Sequence, residues 1–182
     1  MRYKKTGLLL AGAVTASLLG VGVSAAVAAT PEEGSTGLTV AFGDNEFYTL
    51  EGIEEHWSSF VADYPEPLPE GVTFPSTPPK FFYQGLDEGT PLFQTGLPES
   101  ILSRYWRCAW LDSELDAAAA GSTVDAVAAS DALEAEVHMG EGLSVASYQA
   151  IVDAAAADQG VDPRQLEFST ECAIYTDEGN VR

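Results

Sequence analysis

The sequence predicts a mainly α fold. A C-terminal three- or four-helix domain stapled by a disulfide follows an irregular, proline- and aromatic-rich wrap and a short β-hairpin. Three observations carry this. From Pro98 onward, apolar residues recur at helical spacing between glycine stops. Six of the ten prolines fall between Tyr64 and Pro79, a density that excludes helix and central strand there. Only two cysteines exist, Cys108 and Cys172, both in the helical half.

Residues 1–29 read as an export segment. Arg2, Lys4 and Lys5 form a basic start, Gly7 to Ala29 carries no charge, and Ala26-Val27-Ala28 gives an A-x-A cleavage pattern. The uncharged run also approaches the roughly 20 residues that cross a bilayer. A retained membrane anchor is therefore the alternative to a cleaved signal, and either one sends the rest of the chain outward. Residues 30–37 are small and polar, a flexible stem. Residues 38–182 then form one extracytoplasmic domain, with the hairpin, a short helix and the wrap in 38–96 and the helices in 97–182.

Each element has a local reason. β-favouring residues flank Gly43-Asp44-Asn45, which predicts a hairpin that must dock on something, since two strands alone are marginal. Thr49 is placed to cap a helix running to Ala62, with Ile53, Trp57, Phe60 and Val61 on its apolar side. The proline segment favours extended polyproline-II backbone. Its Leu68, Val72 and Phe74 are expected to lie on a neighbouring surface; the alternative is a ligand for a proline-recognising partner. Lys80 to Gly96 continues as aromatic anchors between turns.

Pro98-Glu99-Ser100 opens the first C-terminal helix. Its face is Ile101, Tyr105, Cys108, Leu111 or Asp112, Leu115 and Ala119, and Gly121 ends it. Ser122 and Asp125 resemble a capping box for a helix over 123–138 bearing Val124, Val127, Ala128, Leu133 and Val137. Ser144 caps a third, with Val145, Tyr148, Ile151, Val152 and Ala155 on one side and Gly160 at its end. Asp162-Pro163 looks like a cap and first helical residue. The stretch that follows fits a helix through Phe168, Cys172 and Tyr175, or a strand through Leu166, Phe168, Cys172 and Ile174; its neighbourhood favours helix. The last residues are expected to fray. Alanine-rich contacts bury little apolar area, so this core needs the wrap and a staple.

All 28 acidic residues lie at or beyond Glu32, against five bases there, a net charge of about −23 for the exported part. Such a chain does not bind nucleic acid or anionic lipid by electrostatics. Outside the cytoplasm an isolated cysteine pair is most simply a disulfide. No standard catalytic motif is present, and the two histidines, His56 and His138, fit an exposed helix position and a helix C-terminus. Asp112-Ser113-Glu114 lacks the glycine of a calcium loop, and neither a metal set nor a cofactor motif is read. The stretch RYWRCAWLDSEL concentrates chemistry: Trp106 and Trp110 share a helix face, beside the donors Arg104 and Arg107. These four form the candidate ligand-stacking surface, with core and wrap contacts as the competing use.

PLPEGVTFP, then YWRCAW, then a downstream second cysteine, resembles small exported proteins of high-GC Gram-positive bacteria, over Tyr64 to Cys172. The resemblance implies export and the cysteine pairing, and no catalytic residue. The expectation is an extracytoplasmic acidic module that binds an envelope component or protein, touching the membrane only through an uncleaved N-terminal segment. The alternative is a small secreted hydrolase using carboxylates.

Overall fold

A computed structural model describes residues 39–42, 45–84, 91–135 and 144–179. The export segment, the stem, the hairpin turn at Gly43-Asp44 and His138 lie outside these residues. No helix among the described residues is long and apolar enough to cross a membrane.

Strands β1 (Thr39–Phe42) and β2 (Asn45–Thr49) pair antiparallel, Val40 opposite Phe47. A third strand, β3 (Leu92–Gln94), pairs antiparallel with the other edge of β2, Tyr48 opposite Phe93. The sequence predicted two strands. Three residues carry too little pattern to announce a strand, and β3 is defined by its partner. Helix α1 (Leu50–Asp63) begins where β2 ends, and the Thr49 hydroxyl accepts the Gly52 N–H at 2.9 Å as foreseen. One α1 turn apart, Ile53 and Trp57 are fully buried with Phe82 from a 3₁₀ turn (Lys80–Tyr83) and with Ile101 and Leu102. Phe82 meets Trp57 and Phe93 edge-on at 5.9 and 5.2 Å between ring centres.

Helix α2 (Leu97–Ala120) is the spine. Pro98 sits in its first turn and Gly121, at φ +72°, closes it. At about 1.5 Å per residue it spans roughly 36 Å, long enough to serve two clusters. Its first turns complete the α1 cluster. Tyr105, Cys108, Ala109 and Leu111 then form a second with Leu133, Cys172 and Tyr175. Leu115 is only half-buried and Ala119 is exposed, so the predicted face fades along the last turns.

Helices α3 (Thr123–Ala135), α4 (Val145–Gln159), α5 (Pro163–Glu171) and α6 (Ala173–Thr176) complete the fold. Ser144 and Asp162 cap α4 and α5 by accepting the Ser147 and Gln165 N–H groups. At the start of α3 the Ser122 hydroxyl instead donates to the Asp125 carboxylate at 2.6 Å. The 163–176 stretch is helical, in two pieces that meet at Cys172. Two faces differ from expectation. Val124 and Val127 are 77% and 59% exposed, while α3 packs on α2 through Ala129 and Leu133. Ile151 is 40% exposed, while Tyr148, Val152 and Ala156 turn inward. Alanine on every side of these helices leaves no clear apolar stripe from which to read the packed face. The chain end is also tied down further than expected. The Lys80 N–H donates to Glu178 at 2.9 Å and its ammonium to the Asp177 carbonyl.

Candidate functional site

The RYWRCAW stretch lies in the middle of α2, and its side chains divide around the helix into four environments. Cys108 points to the helical half and is bonded to Cys172, with Cα atoms 5.5 Å apart and 64 residues between them in sequence. The bond lies in the second cluster, out of contact with water.

Trp106 and Trp110 meet at 6.4 Å in an edge-on pair. Trp106 is 3% exposed and Trp110 half-buried. Both indole N–H groups donate to one acceptor, the Pro67 carbonyl of the wrap, at 2.8 and 3.1 Å. Trp57 does the same to Pro75 at 2.8 Å, and the Tyr105 hydroxyl donates to Thr73 at 3.1 Å. Prolines lacking N–H groups leave their neighbourhood rich in unpaired carbonyls, and the aromatic donors satisfy them. Gly71, at φ +83°, lets the strap turn between Pro69 and Val72, whose N–H returns to the Pro69 carbonyl at 3.0 Å. Leu68, Val72 and Phe74 then pack on the second cluster, as the sequence led us to expect.

Arg107 is enclosed at 8% exposure. Its Nε and Nη2 grip the two carboxylate oxygens of Glu167, the latter at 3.0 Å, and its Nη1 reaches the Leu133 carbonyl at 3.5 Å. The guanidinium also lies 5.2 Å from the Tyr148 ring centre, and the Tyr148 hydroxyl donates to Glu167 at 3.1 Å. One buried ion pair thus gathers α2, α3, α4 and α5. Arg164 stands outside it, 3.8 Å from Glu167 and 3.1 Å from Glu114, the latter without the alignment of a hydrogen bond. Burial raises the Glu114 carboxyl above the usual range despite Arg164. Asp112 accepts the Tyr175 hydroxyl at 3.3 Å. Neither acid belongs to a metal set; no cluster of three metal-ligating side chains occurs among the described residues.

Arg104 is separate from all of these. It faces a groove of about 270 Å³ between the Lys80–Gln84 turn, the start of α2 and the α5–α6 junction. Leu97, Ile101 and Ile174 give the groove apolar lining, and Glu171, Asp177 and Glu178 give it acid. Among the described residues Arg104 pairs with Glu171, at a loose 3.8 Å, and two-fifths of its side chain is exposed. No family model, curated protein or solved structure matches this chain.

The four residues singled out from sequence do not share one open surface. The two tryptophans serve the strap, Arg107 serves the ion pair, and Arg104 alone faces a groove. Spacing along one helix brought them together, and spacing says nothing of which neighbour covers each side. The groove and Glu167 were missed altogether. One signal did exist: an arginine within the apolar run YWRCAW, if its side of the helix is covered, calls for an acid partner.

The buried phenols predict an alkaline response. Burial first, then Glu167 beside Tyr148 and Asp112 beside Tyr175, push both hydroxyls well above the ordinary tyrosine value. The folded chain therefore keeps protons that the unfolded chain loses above pH ~10. Their contribution is complete below that pH and disappears as pH rises. Two such groups give a slope of about 3 kcal/mol per pH unit in urea-unfolding free energy above pH ~10, and Y148F/Y175F should flatten it.

Proposed function

We propose that this chain is an exported acidic module that works as a binding or structural component at the cell envelope. The observation that carries the reading is the stapled seam between α2 and the α5–α6 junction. Cys108–Cys172 closes it covalently, a bond that persists in an oxidising compartment. The Arg104 groove runs along it, one side built by Glu171, Ala173 and Ile174 around Cys172. A rigid, partly apolar groove with one loosely held guanidinium suits capture of a small group more than turnover.

The test is to express the full chain, tagged at its C-terminus, in a Gram-positive host and to fractionate the cells. The protein is expected outside the cytoplasm, with an intact mass unchanged by thiol-blocking reagent, and co-sedimenting with envelope material. R104A should sediment several-fold less at an unchanged Tm, since exposed ion pairs contribute little to stability. A cytoplasmic protein with two free thiols would overturn the reading. Glu171, Asp177 and Glu178 on the groove sustain a second reading, a small secreted hydrolase using carboxylates. Turnover of a glycan or peptide panel that depends on those three would select it.

A further inference from the structure

We propose that the Trp106–Trp110 face of α2 is a recognition surface for proline-rich segments of a basic partner, occupied at rest by the chain's own Tyr64–Pro69 arm. The contacts are those of polyproline-II recognition. An extended proline segment makes no internal hydrogen bonds and loses little entropy on binding, so an aromatic surface with N–H donors can hold it through its free carbonyls. Here all three tryptophans of the chain donate to prolyl carbonyls, and two converge on Pro67.

The two halves of the strap are held differently. Phe74 packs against both clusters, and Tyr105 and Trp57 bind the backbone on either side of it, at Thr73 and Pro75. The arm before Pro69 is anchored at its two ends, where Tyr64 packs edge-on on Phe74 at 5.2 Å and Pro69 is buried. Its ends hydrogen-bond through Tyr64 N–H to Val61 and through Pro69 to Val72. Between them the Pro67 carbonyl accepts from α2 and Leu68 packs on the second cluster, while Pro65 and Pro67 are exposed. The arm also brings Glu66, with Glu70 just beyond, onto a chain of net charge −20. A segment of the same proline spacing carrying lysines there would satisfy the same donors and add attraction to an acidic chain. The arm is therefore a cis occupant that a basic proline-rich segment can displace.

This inference extends the binding reading by naming a ligand class, but uses a surface apart from the Arg104 groove, so each can fail alone. The probe is a fluorescein-labelled peptide of residues 64–70 with both glutamates replaced by lysine, added to the purified full chain and followed by anisotropy. Saturable binding that weakens with salt is expected. P65A/P67A keeps the exposed positions and the Pro67 carbonyl's place in the chain, yet loosens the arm. It should tighten binding by about fivefold or more, because a freer arm leaves the surface open more often. W106F/W110F keeps two rings and removes both N–H donors, and should abolish binding. Near-UV circular dichroism checks that each variant is folded. No saturable signal in folded P65A/P67A would overturn the proposal, as would equal binding by W106F/W110F, or dimerisation of P65A/P67A through exchanged arms without peptide binding.

Discussion

Replacing both cysteines with alanine, C108A/C172A, is expected to cost about 4 kcal/mol of unfolding free energy, by the chain-entropy model for a closed loop of this length. The bond spans 64 residues of sequence, so the unfolded chain without it gains a large loop's worth of freedom. For a domain of this size the loss corresponds to a fall in Tm on the order of 10 °C. It is large because the surrounding core is thin: α3, α4 and α5 meet their neighbours through Ala129, Ala156 and a few larger groups. The bond sits where α5 ends and α6 begins, and α6 alone is a single turn. Its loss should therefore loosen the chain end first, including Tyr175 and the ties from Lys80 to Asp177 and Glu178. Thermal melts of wild type and variant, with and without reductant, measure this. Because both sulfurs are buried, reductant should act slowly on the folded wild type and not at all on the variant. An unchanged Tm in the variant would remove the staple from the account of stability.

What the sequence disclosed and withheld follows from the range of each interaction. Caps and stops are local, and Thr49, Ser144, Asp162, Gly121 and Gly160 mark their helices as read. The proline segment could be read as a wrap because proline density excludes the alternatives without reference to anything else. The cysteine pairing was readable because two cysteines allow one partner each. By contrast, β3 exists only because β2 offers an edge, and the faces of α3 and α4 were hidden by alanine on all sides. The tryptophan spacing was plain, but the acceptor, Pro67, lies some forty residues earlier. The same holds for Arg107, which reads as an exposed donor until Glu167, sixty residues later, is brought against it.

That pair makes the second large prediction. R107M is expected to destabilise the fold by about 3–5 kcal/mol, because it strands the Glu167 carboxylate at 2% exposure with, among the described residues, the Tyr148 hydroxyl and the more distant Arg164 to compensate. R107K should also be costly, since an ammonium cannot grip both carboxylate oxygens as the guanidinium does. The double variant R107M/E167M should recover most of the loss, because two apolar side chains of similar length remove the charge that made the single change expensive. Urea unfolding of the two single variants and the double closes the cycle, and the coupling energy it yields should exceed about 2 kcal/mol for contacting residues of one network. If R107M were nearly neutral, the ion pair would be a bystander to packing. If the double variant were as unstable as R107M, the pair would be holding α2, α3, α4 and α5 by a geometry that apolar groups cannot replace. The Arg107 contacts to the Leu133 carbonyl and the Tyr148 ring, which methionine cannot reproduce, would then be the place to look.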